Sequence, residues 1–317
     1  MPQSHAPAGH HHNADPGHGH GHSHAPPANN LAFAVGITLN VGFVVAEVVY
    51  GLSAHSLALL SDAGHNLSDV VGLLTAWGAI HLGKSSPTKR HTYGLRRSSI
   101  LAALTNAVLL LIVVGGITWE AIGRILHPEA VVGSTVMWVA TMGVVINTIS
   151  ALLFMTGREH DLNIKGAFVH MASDAAVSLS VVFAGLTISM TGWYWLDPAV
   201  SIVISGVIVW GTWGLLRESI NLAMDAAPEG IDPHAVESYL AGLEGVDAVH
   251  DLHIWGMSTT EAALTVHLVM PHPPADDKFL HQVAHGLTER FRIGHITVQI
   301  EHGDEDITCH QEPANVV

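Results

Sequence analysis

Two short stretches could do chemistry that the apolar sequence around them could not: His65-Asn66-Leu67-Ser68-Asp69 and His170-Met171-Ala172-Ser173-Asp174, each of the form HxxSD. Residues four apart share one face of a helix, so each stretch presents an imidazole and a carboxylate together. Two such faces turned towards each other would offer two nitrogens and two oxygens, a tetrahedral set suited to zinc or a related divalent cation. Such a set holds zinc less tightly than four thiolates would, which suits a site that must release its ion on every cycle. These groups bind metal when deprotonated, so metal displaces protons and acid displaces metal. Histidine titrates near neutral pH. His65, Asp69, His170 and Asp174 could therefore carry metal one way and protons the other.

The elements that must position them are apolar. The 317-residue chain is 49% hydrophobic and only 12% charged, against about 25% charged in an ordinary soluble domain. Apolar segments run at roughly 31–52, 57–82, 98–119, 133–156, 167–190 and 195–216, each near or above the ~20 residues that span a bilayer core. The expected fold is an α-helical membrane protein with six transmembrane helices. Lys84, Lys89, Arg90, Arg96 and Arg97 lie between the second and third segments, Arg158 and Lys165 between the fourth and fifth, and Arg217 after the sixth. The short links 53–56 and 191–194 carry no Lys or Arg. By the positive-inside rule, both termini face the cytoplasm, and the basic run 84–97 anchors near anionic lipid headgroups.

An ionisable residue at the centre of a membrane helix costs on the order of 3 kcal/mol on insertion scales. A single His/Asp pair is explained by helix-to-helix hydrogen bonding; two matching pairs, with Ser68 and Ser173 in register, are better explained by a ligand. Asp62, about a turn outward from His65, reads as a solvated residue beside the access path, outside the ligand set. Asn40, Glu47, Asn106 and Asn147 read as helix-to-helix hydrogen-bonding groups.

Residues 1–30 hold eight histidines among Gly, Pro, Ala and Asn. Such a tract cannot build a core and reads as a disordered metal-collecting arm. It has no Lys, Arg or apolar core, so no cleavable signal is expected. Beyond Ala226-Ala227-Pro228 the composition becomes that of a small soluble domain. A helix is expected near 233–243, capped by Asp232 with Pro233 in its first turn. Strands follow near 246–256 and 261–270, then a helix near 275–292 and a strand near 295–302. This order suits an α+β sandwich. The chain divides into the arm 1–30, a membrane domain 31–217, a cytoplasmic domain 218–303 and a tail 304–317. The net charge of −15, with its acidic residues gathered late in the chain, argues against nucleic acid as a partner. One cysteine, Cys309, rules out an internal disulfide framework.

The residues Ser56-Leu57-Ala58-Leu59-Leu60-Ser61-Asp62-Ala63-Gly64-His65 continuing to Asp69, Thr92-Tyr93-Gly94, His170 to Asp174, and His250-Asp251-Leu252-His253-Ile254-Trp255 together resemble the cation diffusion facilitator family. The likeness is to its bacterial zinc and cobalt-zinc-cadmium efflux members, which are similar to mammalian zinc transporters. It runs from about Leu31 to Glu301. It implies a homodimer in the inner membrane, with a ferredoxin-like cytoplasmic domain on each protomer, exporting zinc in exchange for protons. It carries the intramembrane site onto His65, Asp69, His170 and Asp174, and a cytoplasmic metal site onto His250, His267 and Glu301. Cys309 and His310 stand where relatives have tail cysteines and would close that second site, within the chain or across the dimer. Two departures stand out: Gln299 replaces a histidine of some relatives, and Arg96-Arg97-Ser98-Ser99 replaces their His-Arg-x-Glu, so a loop metal site is not expected. An alternative reading takes His281, His285, His295, His302 and Cys309 as ordinary surface residues of a His-rich chain.

Rival functions leave weaker traces. No HExxH and no GxxxxGK[ST] occurs, against a zinc protease and an ATP-driven pump. A membrane metalloenzyme or a passive metal channel are the remaining alternatives.

Overall fold

The computed structural model describes residues 30–83, 85–155, 162–303, 309 and 311. The histidine-rich arm through residue 29, Lys84, Arg158 and His310 lie outside the described residues. Six long helices come first: α1 (Asn30–Ser53), α2 (Leu57–Gly83), α3 (Ser98–Leu126), α4 (Gly133–Met155), α5 (Leu162–Thr191) and α6 (Leu196–Ala223). Among the described residues, four stretches are long and apolar enough to cross a membrane: Ser98–Leu126, Gly133–Leu152, Phe168–Thr191 and Leu196–Ala223. The described apolar part of α1 is the shorter Asn40–Ser53. The α2 helix, which bears Ser61, Asp62, His65, Asn66, Ser68 and Asp69, is not among the four. The helices expose Val45, Leu109, Ile112, Val203 and Trp210 on their outer faces. Water would not tolerate so much apolar surface, but lipid would.

The bundle is held by polar ties as well as by apolar packing. Asp197, fully buried in the first turn of α6, accepts hydrogen bonds from Ser56 Oγ (2.5 Å) and from the Leu57 amide (2.7 Å). A carboxylate thereby serves the free N–H groups and the positive dipole end of α2. One turn on, Ser61 and Ser201 hydroxyls bond at 2.7 Å. Asn66 Nδ2 donates to Glu47 Oε2 on α1 (2.9 Å), and Asn106 Nδ2 on α3 donates to the Ser68 carbonyl (3.4 Å) and hydroxyl (3.3 Å). The helix that carries the first HxxSD stretch is thus fixed in register against α6, α1 and α3.

The second stretch lies on α5, which packs along α4. Their closeness depends on two glycines: a Cβ on Gly133 would sit 2.6 Å from the Gly185 carbonyl oxygen, and one on Gly185 would sit 2.7 Å from the Met137 nitrogen. Backbone contact through small residues is the usual way membrane helices approach closely.

The soluble part contains α7 (Pro233–Ala241), β1 (Ala248–Gly256), β2 (Ala262–Val269), α8 (Lys278–Phe291) and β3 (Ile293–Glu301). The element order matches the sequence expectation. Asp232 caps α7 by accepting from the His234 amide (3.0 Å). The sheet order is β1-β2-β3, with β1 and β2 antiparallel and β2 and β3 parallel. Ile296, Val298 and Ile300 pack towards a core built on Leu240, Leu264, Leu268 and Leu287. The α6 helix runs on to Ala223, beyond the boundary expected at residue 217, because Ser219 and Leu222 are still buried on its face. The sequence reaches helix-breaking Pro228 only later.

A seam joins the two parts. Arg96 Nη1 donates to Glu261 Oε2 (2.6 Å), Arg97 pairs with Asp225, the Thr259 amide donates to Ser99 Oγ (3.1 Å), and Tyr93 stands edge-on to His295 (5.2 Å). Two arginines expected to face lipid headgroups are therefore turned to carboxylates of the chain itself. A fixed carboxylate at hydrogen-bond distance outcompetes a diffuse headgroup layer.

Candidate functional site

The α2 and α5 helices bring the two HxxSD stretches together. His65 Nε2 lies 3.0 Å from Asp174 Oδ1 and 3.9 Å from Asp69 Oδ2. His170 Nε2 lies 3.3 Å from Asp69 Oδ2 and 3.6 Å from Asp174 Oδ2. A tetrahedron with metal–ligand bonds of about 2.0 Å has edges of about 3.3 Å, so these four spacings bracket one. Ligand atoms of His65, Asp69 and Asp174 fall within 4.8 Å of one another, with His170 reaching the same carboxylates. The Asp69 Oδ2 atom is buried, with the imidazoles of His170 (3.3 Å) and His65 (3.9 Å) as its neighbours. A buried carboxylate oxygen so placed is matched by a cation or by a protonated imidazole.

The two serines of the repeat do different things. Ser68 receives Asn106, whereas Ser173 Oγ bonds back to the Val169 carbonyl of its own helix (2.9 Å). Asp62 departs from expectation. It is fully buried, not solvated, because α5 closes over it: Ser178 Oγ donates to Asp62 Oδ2 (3.0 Å). Glu47 of α1 is also in side-chain contact with Asp62, so the two carboxyl groups stand together. Two further carboxyl groups thus stand in the bundle's interior near the ligand set. The repeat spacing gave no sign of this, since burial of Asp62 depends on a residue more than a hundred positions away.

The sheet assembles a second cluster. His250 and His267 are cross-strand partners on β1 and β2, and Glu301 ends β3 opposite Val269. His250 Nε2 is 3.1 Å from Glu301 Oε2, His267 Nδ1 is 3.0 Å from Glu301 Oε1, and Cys309 Sγ is 3.7 Å from His267 Nδ1. All four offer ligand atoms within 4.8 Å of one another. Two nitrogens, an oxygen and a sulfur form a donor set that zinc takes readily. The Cys309 thiol, half-buried, meets this cluster from its own chain. Burial alone would push the Glu301 carboxyl up, but hydrogen bonds from Gln299, Cys309 and His250 hold it below the ordinary glutamate value.

The remaining histidines behave as surface groups: His281 and His302 are exposed, His285 pairs with Glu289 (3.5 Å) and His295 meets Tyr93. Asp251 and His253 were missed as members of this neighbourhood. Asp251 lies 3.5 Å from His267 and 2.8 Å from His253.

Comparison with known proteins agrees with this layout. The cation efflux transmembrane domain matches residues 33–222, and the cation efflux protein cytoplasmic domain matches residues 228–303. The chain is 37% identical over 277 residues to the metal cation efflux system protein CzcD of Cupriavidus metallidurans, covering 87% of this chain and 88% of that protein. It is 36% identical over 289 residues to the zinc transporter ZitB of Escherichia coli, covering 89% and 90%. A cadmium, cobalt and zinc/H(+)-K(+) antiporter of Bacillus subtilis is 33% identical over 291 residues, covering 89% and 93%. With both domains matched in order and the likeness sustained along the chain, this protein belongs to the cation efflux family of membrane transporters.

Proposed function

We propose that the chain exports zinc, and with it cadmium and cobalt, from the bacterial cytoplasm in exchange for protons. The observation that carries this reading is the crossed set of four donors between α2 and α5, at 3.0–3.9 Å. His65, Asp69, His170 and Asp174 are the transport stop. Facing the cytoplasm they give up protons to take metal; facing outside, protons displace the metal. A closed four-ligand set leaves no position for a catalytic water, which separates it from a hydrolytic zinc centre. The substrates named for the relatives support the choice of cations.

In this reading all six long helices span the inner membrane with both termini cytoplasmic, supported by the Lys and Arg distribution. Residues 1–30 form a metal-collecting arm, 31–217 the membrane domain, 218–303 the cytoplasmic domain and 304–317 a tail. The protein works as a homodimer. His250, His267, Glu301 and Cys309 hold a resident zinc ion that steadies or regulates the cytoplasmic domain.

The test is zinc uptake into proteoliposomes with internal pH recorded. Wild type should move zinc with opposite proton flow, and Asp69→Ala and Asp174→Ala should not. Zinc flux that ignores an imposed pH gradient would point to a channel, and normal transport by both variants would remove the site assignment.

A further inference from the structure

His267 has an acid on each ring nitrogen. Its Nδ1 faces Glu301 Oε1 (3.0 Å) and Cys309 Sγ (3.7 Å), and its Nε2 lies 3.5 Å from Asp251 Oδ2. His250 is different: its Nε2 meets Glu301, and its buried Nδ1 has no partner among the described residues. Asp251 is not one of the four residues whose ligand atoms converge. It stands behind His267, its side chain only 7% exposed, with His253 Nε2 holding its other oxygen at 2.8 Å.

The backbone is shaped to put it there. In a regular strand residues 250 and 251 would point to opposite faces. Here the pairing shifts between His250↔His267 and His253↔Thr265, a bulge, and Asp251 takes a left-handed φ of 50°. His250 and Asp251 consequently both reach the His267 ring, one edge-on at 5.0 Å between centroids and the other at its far nitrogen. That φ disfavours most side chains, and Asp and Asn are among the few that adopt it readily.

We infer that Asp251 is a positioning residue of the cytosolic metal site: standing 3.5 Å behind His267 Nε2, it favours the ring proton on that nitrogen and leaves Nδ1 to meet a metal ion in the space shared by Glu301, Cys309 and His250. A carboxylate behind a ligating imidazole fixes its tautomer and orientation and raises its basicity. His253 acts one step further out, holding Asp251 in place. The inference rests on the reading of His250, His267, Glu301 and Cys309 as a metal site.

The test uses cobalt and the full chain in detergent. Cys309 is the single cysteine, so a thiolate-to-cobalt charge-transfer band reports this site alone, and the membrane site, which has no sulfur, stays silent. Asp251→Asn keeps the size of the side chain and tolerates the left-handed backbone. Its cobalt affinity, titrated against a chelator, should fall about 10–100-fold, with the saturated band still formed and unfolding of the metal-free protein unchanged. Nitrogen NMR of the zinc-loaded protein should show His267 bound through Nδ1 with its proton on Nε2 in wild type, and a mixture of tautomers in the variant. Wild-type affinity and tautomer in Asp251→Asn would overturn the role; so would loss of the band at saturation, which would make Asp251 a direct ligand or a folding requirement. A wild-type protein with no charge-transfer band would overturn the metal-site reading and the inference with it.

Discussion

His65 Nε2 stands nearer to Asp174 of the partner helix (3.0 Å) than to Asp69 of its own (3.9 Å). His170 repeats the relation, nearer to Asp69 (3.3 Å) than to Asp174 (3.6 Å). Each histidine answers the other helix's aspartate, as antiparallel helices require when both carry the same four-residue spacing. Asp174 is the more enclosed acid, its side chain 4% exposed against 31% for Asp69. Asp174→Asn should therefore weaken the metal-free bundle more than Asp69→Asn, by on the order of 1–3 kcal/mol from the weakened buried hydrogen bond to His65. Both should lose zinc transport. Thermal unfolding in detergent measures the first effect, and equal unfolding of the two variants would show that Asp174 is no anchor.

Asp62 supplies a second measurement. Its side chain is wholly buried and held by Ser178. Asn in its place can still accept that hydrogen bond and can donate to the neighbouring Glu47, so Asp62→Asn removes a negative charge while keeping the side chain's size. If this charge adds to the pull on a cation, the zinc concentration for half-maximal transport should rise on the order of tenfold, the equivalent of about 1.4 kcal/mol. An unchanged concentration dependence would assign Asp62 to packing alone.

What could be read from sequence and what could not divides by distance along the chain. The pairs His65/Asp69 and His170/Asp174 were legible because four-residue spacing on a helix is local geometry. The order of helices and strands after Pro228 was legible for the same reason. Asp62 was misread as solvated because only the arrival of Ser178 from α5 buries it. Asp251 was passed over because strand alternation would turn it away from His250, and the bulge that turns it back has no local signature strong enough to predict. Arg96 and Arg97 looked like lipid anchors until Glu261 and Asp225 came into reach through the tertiary fold.

Close approach of α4 and α5 predicts a stability effect. A valine at position 185 would drive its Cβ against the Met137 nitrogen and the Gly133 carbonyl oxygen, at 2.7 and 2.8 Å, where backbone cannot yield. Gly185→Val should cost about 1–3 kcal/mol and, by displacing the helix that carries His170 and Asp174, lower transport as well. Gly115→Ala, with nothing within 4 Å of its added Cβ, is the control. Comparable unfolding temperatures for the two variants would contradict the packing argument.

Glu301 predicts a pH dependence. Its carboxyl is held below the ordinary glutamate value of about 4.3 by Gln299, Cys309 and His250. A depressed folded-state value adds stability that is fully present above the unfolded value and is lost as pH falls through the folded one. The metal-free cytosolic domain should thus be at its full stability near neutral pH and weaken below about pH 4. Glu301→Gln should flatten that acid limb by lowering the neutral-pH stability by the same amount, a small one because the group is partly solvated and the effect is screened. An acid limb of undiminished steepness in the variant would assign it to other carboxylates.

The seam between membrane and soluble parts predicts a salt effect. Arg96 and Glu261 are about half exposed, and an exposed pair contributes roughly 0–1 kcal/mol. Such a pair is also screened, since the Debye length shrinks to about 3 Å at 1 M salt. Alone it would hardly hold two domains, but the Thr259 amide on Ser99 and the Tyr93–His295 contact lie beside it. Arg96→Ala should therefore speed hydrogen exchange of the Met257–Glu261 turn by no more than about fivefold. In wild type, high salt should produce the same increase and add nothing further in Arg96→Ala. A salt response that persists in the variant would shift the electrostatic hold of the seam onto Arg97 and Asp225, the other charged pair that spans it.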